Sequence, residues 1–106
     1  MNSKKNFKTI PQVLKLLTQM ENKALSMNYL LGYRSTDIAQ VQKNFISTAN
    51  SISIVFMQYE LNYLALDLLK RAAATDVELY KGGGLEDRLW EGRLVTYCNL
   101  AWLFLR

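Results

Sequence analysis

Apolar side chains recur at steps of three and four residues along most of this chain, and only one proline stands among its 106 residues to break the pattern. That period belongs to a helix whose one face is buried; a half-buried strand would alternate every second residue. Ile10, Val13, Leu17, Met20, Ala24, Met27 and Leu31 keep the period over three heptads, so the first helix is expected over 10–31. Pro11 fits its opening turn, where the missing N–H has no helical partner anyway. Gly32 offers the left-handed residue that ends a helix.

The same reading gives three more helices. Ile38, Val41, Phe45, Ala49, Ile52, Phe56 and Tyr59 make a stripe over 36–59, opened by Ser35, Thr36 or Asp37 as N-cap. Ile46, Val55 and Met57 widen it, so this helix is expected to be covered on more than one side. After the short link Glu60, Leu61 and Asn62, a third helix over 63–80 carries Leu64, Leu68 and Ala72 on one face and Ala65, Leu69 and Ala73 beside it. Three glycines at 82–84 break the chain. The last helix, over 85–106, has Leu89, Trp90, Leu94, Tyr97, Ala101 and Phe104 as its expected packing face. Gly92 inside it implies a close helix crossing or a local break, because glycine costs about 1 kcal/mol against alanine there. The fold class that follows is all-α: about four amphipathic helices packed as antiparallel pairs, in one domain over 10–106, behind a flexible basic segment over 1–9.

Charge and chemistry remove several functions. The net charge is +4, and the excess sits at the amino end, where Lys4, Lys5 and Lys8 cluster. No arginine-rich stripe or basic run interleaved with aromatics accompanies it, which argues against nucleic acid. Residues 94–105 are the most apolar stretch, yet Thr96 and Asn99 interrupt it and it is short of the roughly 20 residues a membrane span needs. No charged-then-oily leader with a small-residue cleavage site opens the chain. With one cysteine, Cys98, and no intrachain disulfide, a cytoplasmic location is the expectation.

The chain has no histidine, so imidazole catalysis and most zinc sites are excluded. Cys98 lies among Leu94, Val95 and Trp102 and is expected to be a buried thiol without an activating base. The glycines at 82–84 lack the Gly-Lys-Ser/Thr ending of a phosphate loop and read as a connector. Glu86, Asp87 and Glu91 alternate with Arg88 and Arg93 and read as a solvated surface with local ion pairs. The expectation is no enzyme, no metal and no cofactor.

From residue 49 the order of large and small residues resembles a tetratricopeptide (TPR) repeat. Ala49, Ile52, Ser53 and Phe56 stand where that family's helix A places its signature, and Ala65, Leu69 and Ala72 match helix B. Tyr97, Leu100, Ala101 and Phe104 repeat the helix A pattern before the sequence given ends. The two copies are offset by 48 residues, Ser53 to Ala101, against a usual period of about 34; an extended helix B plus the glycine loop would fill the difference.

The resemblance implies a protein–protein interaction module: a scaffold or adaptor, one atypical repeat plus a partial second, within a longer helical array. A peptide groove on the inner face of the A helices would then be lined by Ser47, Asn50, Ile54, Met57 and Gln58 of the first copy and by Val95, Cys98, Trp102 and Arg106 of the second. Asn50, Ile54, Met57, Gln58 and Trp102 are the candidate partner contacts. The partner implied is another protein or peptide, not a small-molecule substrate, with self-association or continuation through the C-terminal helix. The alternative is a self-contained four-helix bundle acting as a regulator, an inhibitor or a dimeric assembly factor.

Overall fold

A computed structural model describes residues 3–27, 35–82 and 84–106; for residues 3–8, 27, 35 and 36 it describes the backbone alone. Among the described residues there is no strand. Four long helices and one single-turn helix account for nearly all of them: α1 (Ser3–Met27), α2 (Ser35–Gln58), α3 (Asn62–Gly82), α4 (Leu85–Arg88) and α5 (Gly92–Phe104).

α2 and α3 form an antiparallel hairpin through a tight link. Leu61 N–H donates back to the Phe56 carbonyl at 2.8 Å, and Glu60 takes a left-handed φ of 61° to make the turn. Small residues let the pair close up: Ala49, Ser53, Ala65 and Ala72 are buried where the two helices meet. The Ser53 hydroxyl donates to the Ala49 carbonyl at 2.7 Å and reaches the Ala65 carbonyl across the interface at 3.5 Å. Phe56, Leu68 and Leu69 fill the space around them.

α1 and α5 then pack on opposite flanks of α2. On one flank, Ile10 and Val13 near the start of α1 meet Ile52 and Phe56 near the end of α2, so these helices run antiparallel. On the other flank Asn50 pairs with Thr96, and the Met57 carbonyl with Arg106. Both numbers rise together, so α5 runs parallel to α2. Along α2, Ile52 and Asn50 are two positions apart, which sets them about 160° apart around the axis. α3 lies between the flanks and touches α5 as well. The Cα envelope measures 46 × 28 × 18 Å, a slab about two helix layers thick.

Two features differ from the sequence expectation. α1 begins at Ser3, inside the segment expected to be flexible, so Pro11 lies within the helix. Its expected end at Leu31 and Gly32, like Gly83 of the glycine run, falls outside the described residues. The last helix is broken: α4 stops at Arg88 and α5 starts at Gly92. The cause is Trp90, whose ring is packed against the core; a Cβ on Gly92 would stand 2.3 Å from Trp90 Cη2. Gly92 is thus a break admitting an indole, not a helix crossing. No helix of the described residues is long and apolar enough to cross a membrane.

Candidate functional site

The decisive feature is the way α5 is turned. Its buried side chains are Thr96, Asn99 and Leu103, at steps of three and four and therefore on one face. Thr96 and Asn99 meet Asn50 of α2, itself only 4% exposed. Asn50 Nδ2 donates to Thr96 Oγ1 at 2.8 Å and to the Ile46 carbonyl at 2.8 Å. Asn99 Nδ2 donates to Asn50 Oδ1 at 2.9 Å. The Thr96 hydroxyl donates to the Gly92 carbonyl at 3.0 Å. The network ties α5 to α2 by hydrogen bonds that are mutually satisfied, which buried polar groups require.

The opposite face of α5 is apolar and open. Leu94 is 68% exposed, Phe104 72% and Leu105 86%; Tyr97, Val95 and Trp102 stand near one half. Ala101 and Cys98 are exposed between them. This reverses the expectation twice over. Leu94, Tyr97, Ala101 and Phe104 face outward instead of packing, and Cys98 is not buried. Thr96 and Asn99, which broke the apolar run in the sequence, are the residues that face the core.

α5 and the turn before it are fixed by charges as well. Asp76 of α3, 3% exposed, accepts from Arg93 Nε, and Arg93 Nη2 reaches its other oxygen at 3.4 Å. The Arg93 guanidinium lies 4.5 Å from the Tyr80 ring centre, and its pKa is raised, chiefly by the hydrogen bond to Asp76. Lys43 of α2 reaches Asp87 of α4 at 2.7 Å and lies 5.8 Å from the centre of the Trp90 ring. That Lys43 hydrogen bond, helped by the Gly84 N–H at 3.1 Å, holds the Asp87 carboxyl below its ordinary range. Asp87 and Arg93 therefore pair with α2 and α3, not with their local neighbours as the sequence suggested.

A cleft of about 210 Å³ runs between α2 and α5, lined by Ser47, Asn50, Ser51, Ile54, Gly92 and Val95. Of the five candidate partner contacts, Ile54 is half-buried on this cleft, and Gln58 and Trp102 are exposed. Asn50 and Met57 are not available. Asn50 is occupied by α5, and Met57 is fully buried in the core. Beyond the cleft, Arg106 donates to the Met57 carbonyl at 2.9 Å and stacks 5.6 Å from the centre of the Trp102 ring.

The first set of repeat-packing residues, Ala49, Ile52, Ser53, Phe56, Ala65, Leu69 and Ala72, lies in or against the core. In the second set, Leu100 packs against the core, whereas Tyr97, Ala101 and Phe104 do not. Compared with protein families, with curated proteins and with solved structures, the chain matches none. Among the described residues no group of three acidic, cysteine or histidine side chains stands together as a cation would require. What the arrangement offers chemically is a greasy, uncharged strip on a helix whose back is anchored by hydrogen bonds and ion pairs.

Proposed function

We propose that this chain is a protein–protein interaction module, a TPR-like helical scaffold that works by presenting the outer face of α5 and the neighbouring α2–α5 cleft. One observation carries the reading: α5 buries Thr96 and Asn99 and leaves Leu94, Tyr97, Trp102, Phe104 and Leu105 in water. Without a partner that orientation is unfavourable by roughly 25 cal/mol for each Å² of apolar surface left hydrated. Contiguous strips of this kind mark interaction sites.

The packing order supports an array over a closed bundle. α1 and α5 occupy opposite flanks of the α2–α3 hairpin, as successive elements of a stacked helical array do, so further helices have room at the α5 end. The small-residue contacts of Ser53 and Ala65 support the TPR-like reading of that hairpin. A single exposed thiol suits a reducing interior such as the cytoplasm.

Cys98 provides the test. Its alkylation rate is compared for the isolated chain at high dilution and for the same chain at trace level in an extract of its native cell. Occlusion in the extract, abolished by Leu94→Asp, is the expected result. Equal rates in both settings would refute the reading.

A further inference from the structure

Resting on the interaction-module reading, we propose that the partner seated on α5 is a second copy of this chain, joined through an antiparallel, two-fold symmetric α5–α5 contact. The order of side-chain sizes along the open face carries the inference. Bulky Leu94, Val95 and Tyr97 stand at one end, small Cys98 and Ala101 in the middle, and bulky Trp102, Phe104 and Leu105 at the other. Read from either end the order is the same: large, small, small, large.

A two-fold contact requires that self-complementarity, because each residue must fit the residue that faces it in the other copy. Laid antiparallel about the midpoint of Cys98 and Ala101, Leu94 packs against Leu105 of the second copy and Cys98 against its Ala101. The small pair at the centre lets the helix axes approach at the short end of the usual range.

Charge at the two ends selects the same direction. Between Leu94 and Leu105 the chain carries no charged residue, so nothing charged is stranded in the contact. Glu91 stands just before α5 and Arg106 just after it. In this register Arg106 of one copy faces position 93 of the other, where Arg93 is held by Asp76 of α3, and the Glu91 carboxylate stands two residues further along. A parallel pairing would set Glu91 against Glu91 and Arg106 against Arg106, which repels. Arg106 has five N–H donors; one Nη2 bond to the Met57 carbonyl leaves others for a carboxylate.

Fractional exposures from 45% at Trp102 to 86% at Leu105 set an upper bound on the order of 800 Å² of side chain on this face, the share each partner contributes to a standard-size interface.

Sedimentation velocity of the reduced full chain, from nanomolar to high micromolar concentration, tests the proposal. The mass is expected to rise from one chain to two. Leu105→Asp or Leu94→Asp, each placing two unpaired charges in the dimer, should raise the dissociation constant by about a hundredfold or more. Leu85→Asp, on exposed α4 away from the face, should leave it unchanged. Circular dichroism confirms that each variant is folded.

Orientation is read by oxidation with copper phenanthroline. Ala101→Cys faces Cys98 across the antiparallel contact, so that variant should form covalent dimers far faster than the wild type. A chain that stays monomeric at every concentration overturns the proposal. So does association indifferent to both Asp variants, or a wild-type Cys98–Cys98 cross-link as fast as that of Ala101→Cys. If the chain is monomeric but Cys98 is still occluded in cell extract, the second copy is excluded while the interaction module stands. If Cys98 is open in extract as well, both fall.

Discussion

Replacing Asn50 by leucine keeps the branched shape of the side chain, though not its volume, and deletes the centre of the α2–α5 network. Two inter-helix bonds disappear, to Thr96 Oγ1 and from Asn99 Nδ2, along with one local bond to the Ile46 carbonyl. Thr96 keeps its bond to the Gly92 carbonyl, but the Asn99 amide, in a residue 8% exposed, loses its acceptor. Each lost inter-helix bond contributes about 1 kcal/mol and the orphaned amide costs about 1–2 more. Burial of the new leucine offsets about 1 kcal/mol of that loss. Asn50→Leu is therefore expected to destabilise the fold by about 2–3 kcal/mol, a large share of the roughly 5–15 kcal/mol that a domain commands.

The same reasoning predicts that the triple variant Asn50→Leu, Thr96→Val, Asn99→Leu lies within about 1 kcal/mol of the wild type, because no buried polar group is then left without a partner. Urea unfolding followed by far-ultraviolet circular dichroism measures both, with a constant m-value as the check that the end states are unchanged. A neutral Asn50→Leu would refute the argument. So would a triple variant worse than the single one.

Arg71 of α3 holds Glu21 of α1 with two nearly parallel bonds of 2.9 and 3.1 Å and reaches Thr18 at 3.2 Å; Arg71→Lys loses the bidentate geometry, and faster hydrogen exchange confined to α1 is expected. Gly92→Ala forces the Trp90 ring out of the space it fills, with a cost of about 1–3 kcal/mol and a red shift of tryptophan emission. The depressed Asp87 carboxyl favours the folded state at pH values above its unfolded pKa, and that contribution fades as pH falls through the lower folded value. Asp87→Asn should therefore remove part of the acid-side loss of stability while costing under about 1 kcal/mol near neutrality, because the pair is partly hydrated; thermal melts in acid and at neutral pH measure both.

The helices themselves were legible because their stripes are long. Leu17, Phe45, Ile46, Ala49, Phe56, Leu68, Leu69 and Ala72 are all expected core residues, and all are buried. In the last segment the same logic chose the wrong side. Periodicity locates a stripe but not what it faces, and α5 has apolar residues around most of its circumference. What decides its orientation is a partner on another helix: Asn50 lies 46 positions from Thr96, and no local pattern links them.

Met57 failed as a groove residue for a related reason. α2 has neighbours on three sides, so two of the positions assigned to an open inner face, Asn50 and Met57, are buried, while Ser47 and Gln58 stay exposed. The break at Gly92 was an open alternative in the sequence, since a mid-helix glycine fits a crossing or a stop equally well; only the position of the Trp90 ring distinguishes them. Asp87 and Arg93 were read against their nearest neighbours in sequence, whereas their ion pairs are with other helices.

The parallel course of α5 beside α2 sets an order of assembly. Contacts between them close loops of more than forty residues, whereas the α2–α3 hairpin closes through a few and the Arg93–Asp76 pair to α3 through seventeen, so loop-closure entropy favours the hairpin as the earliest pairing. The strip that meets the outside world therefore sits on a segment fastened to α2 across long loops, and whatever grips it also bears on how often that segment opens.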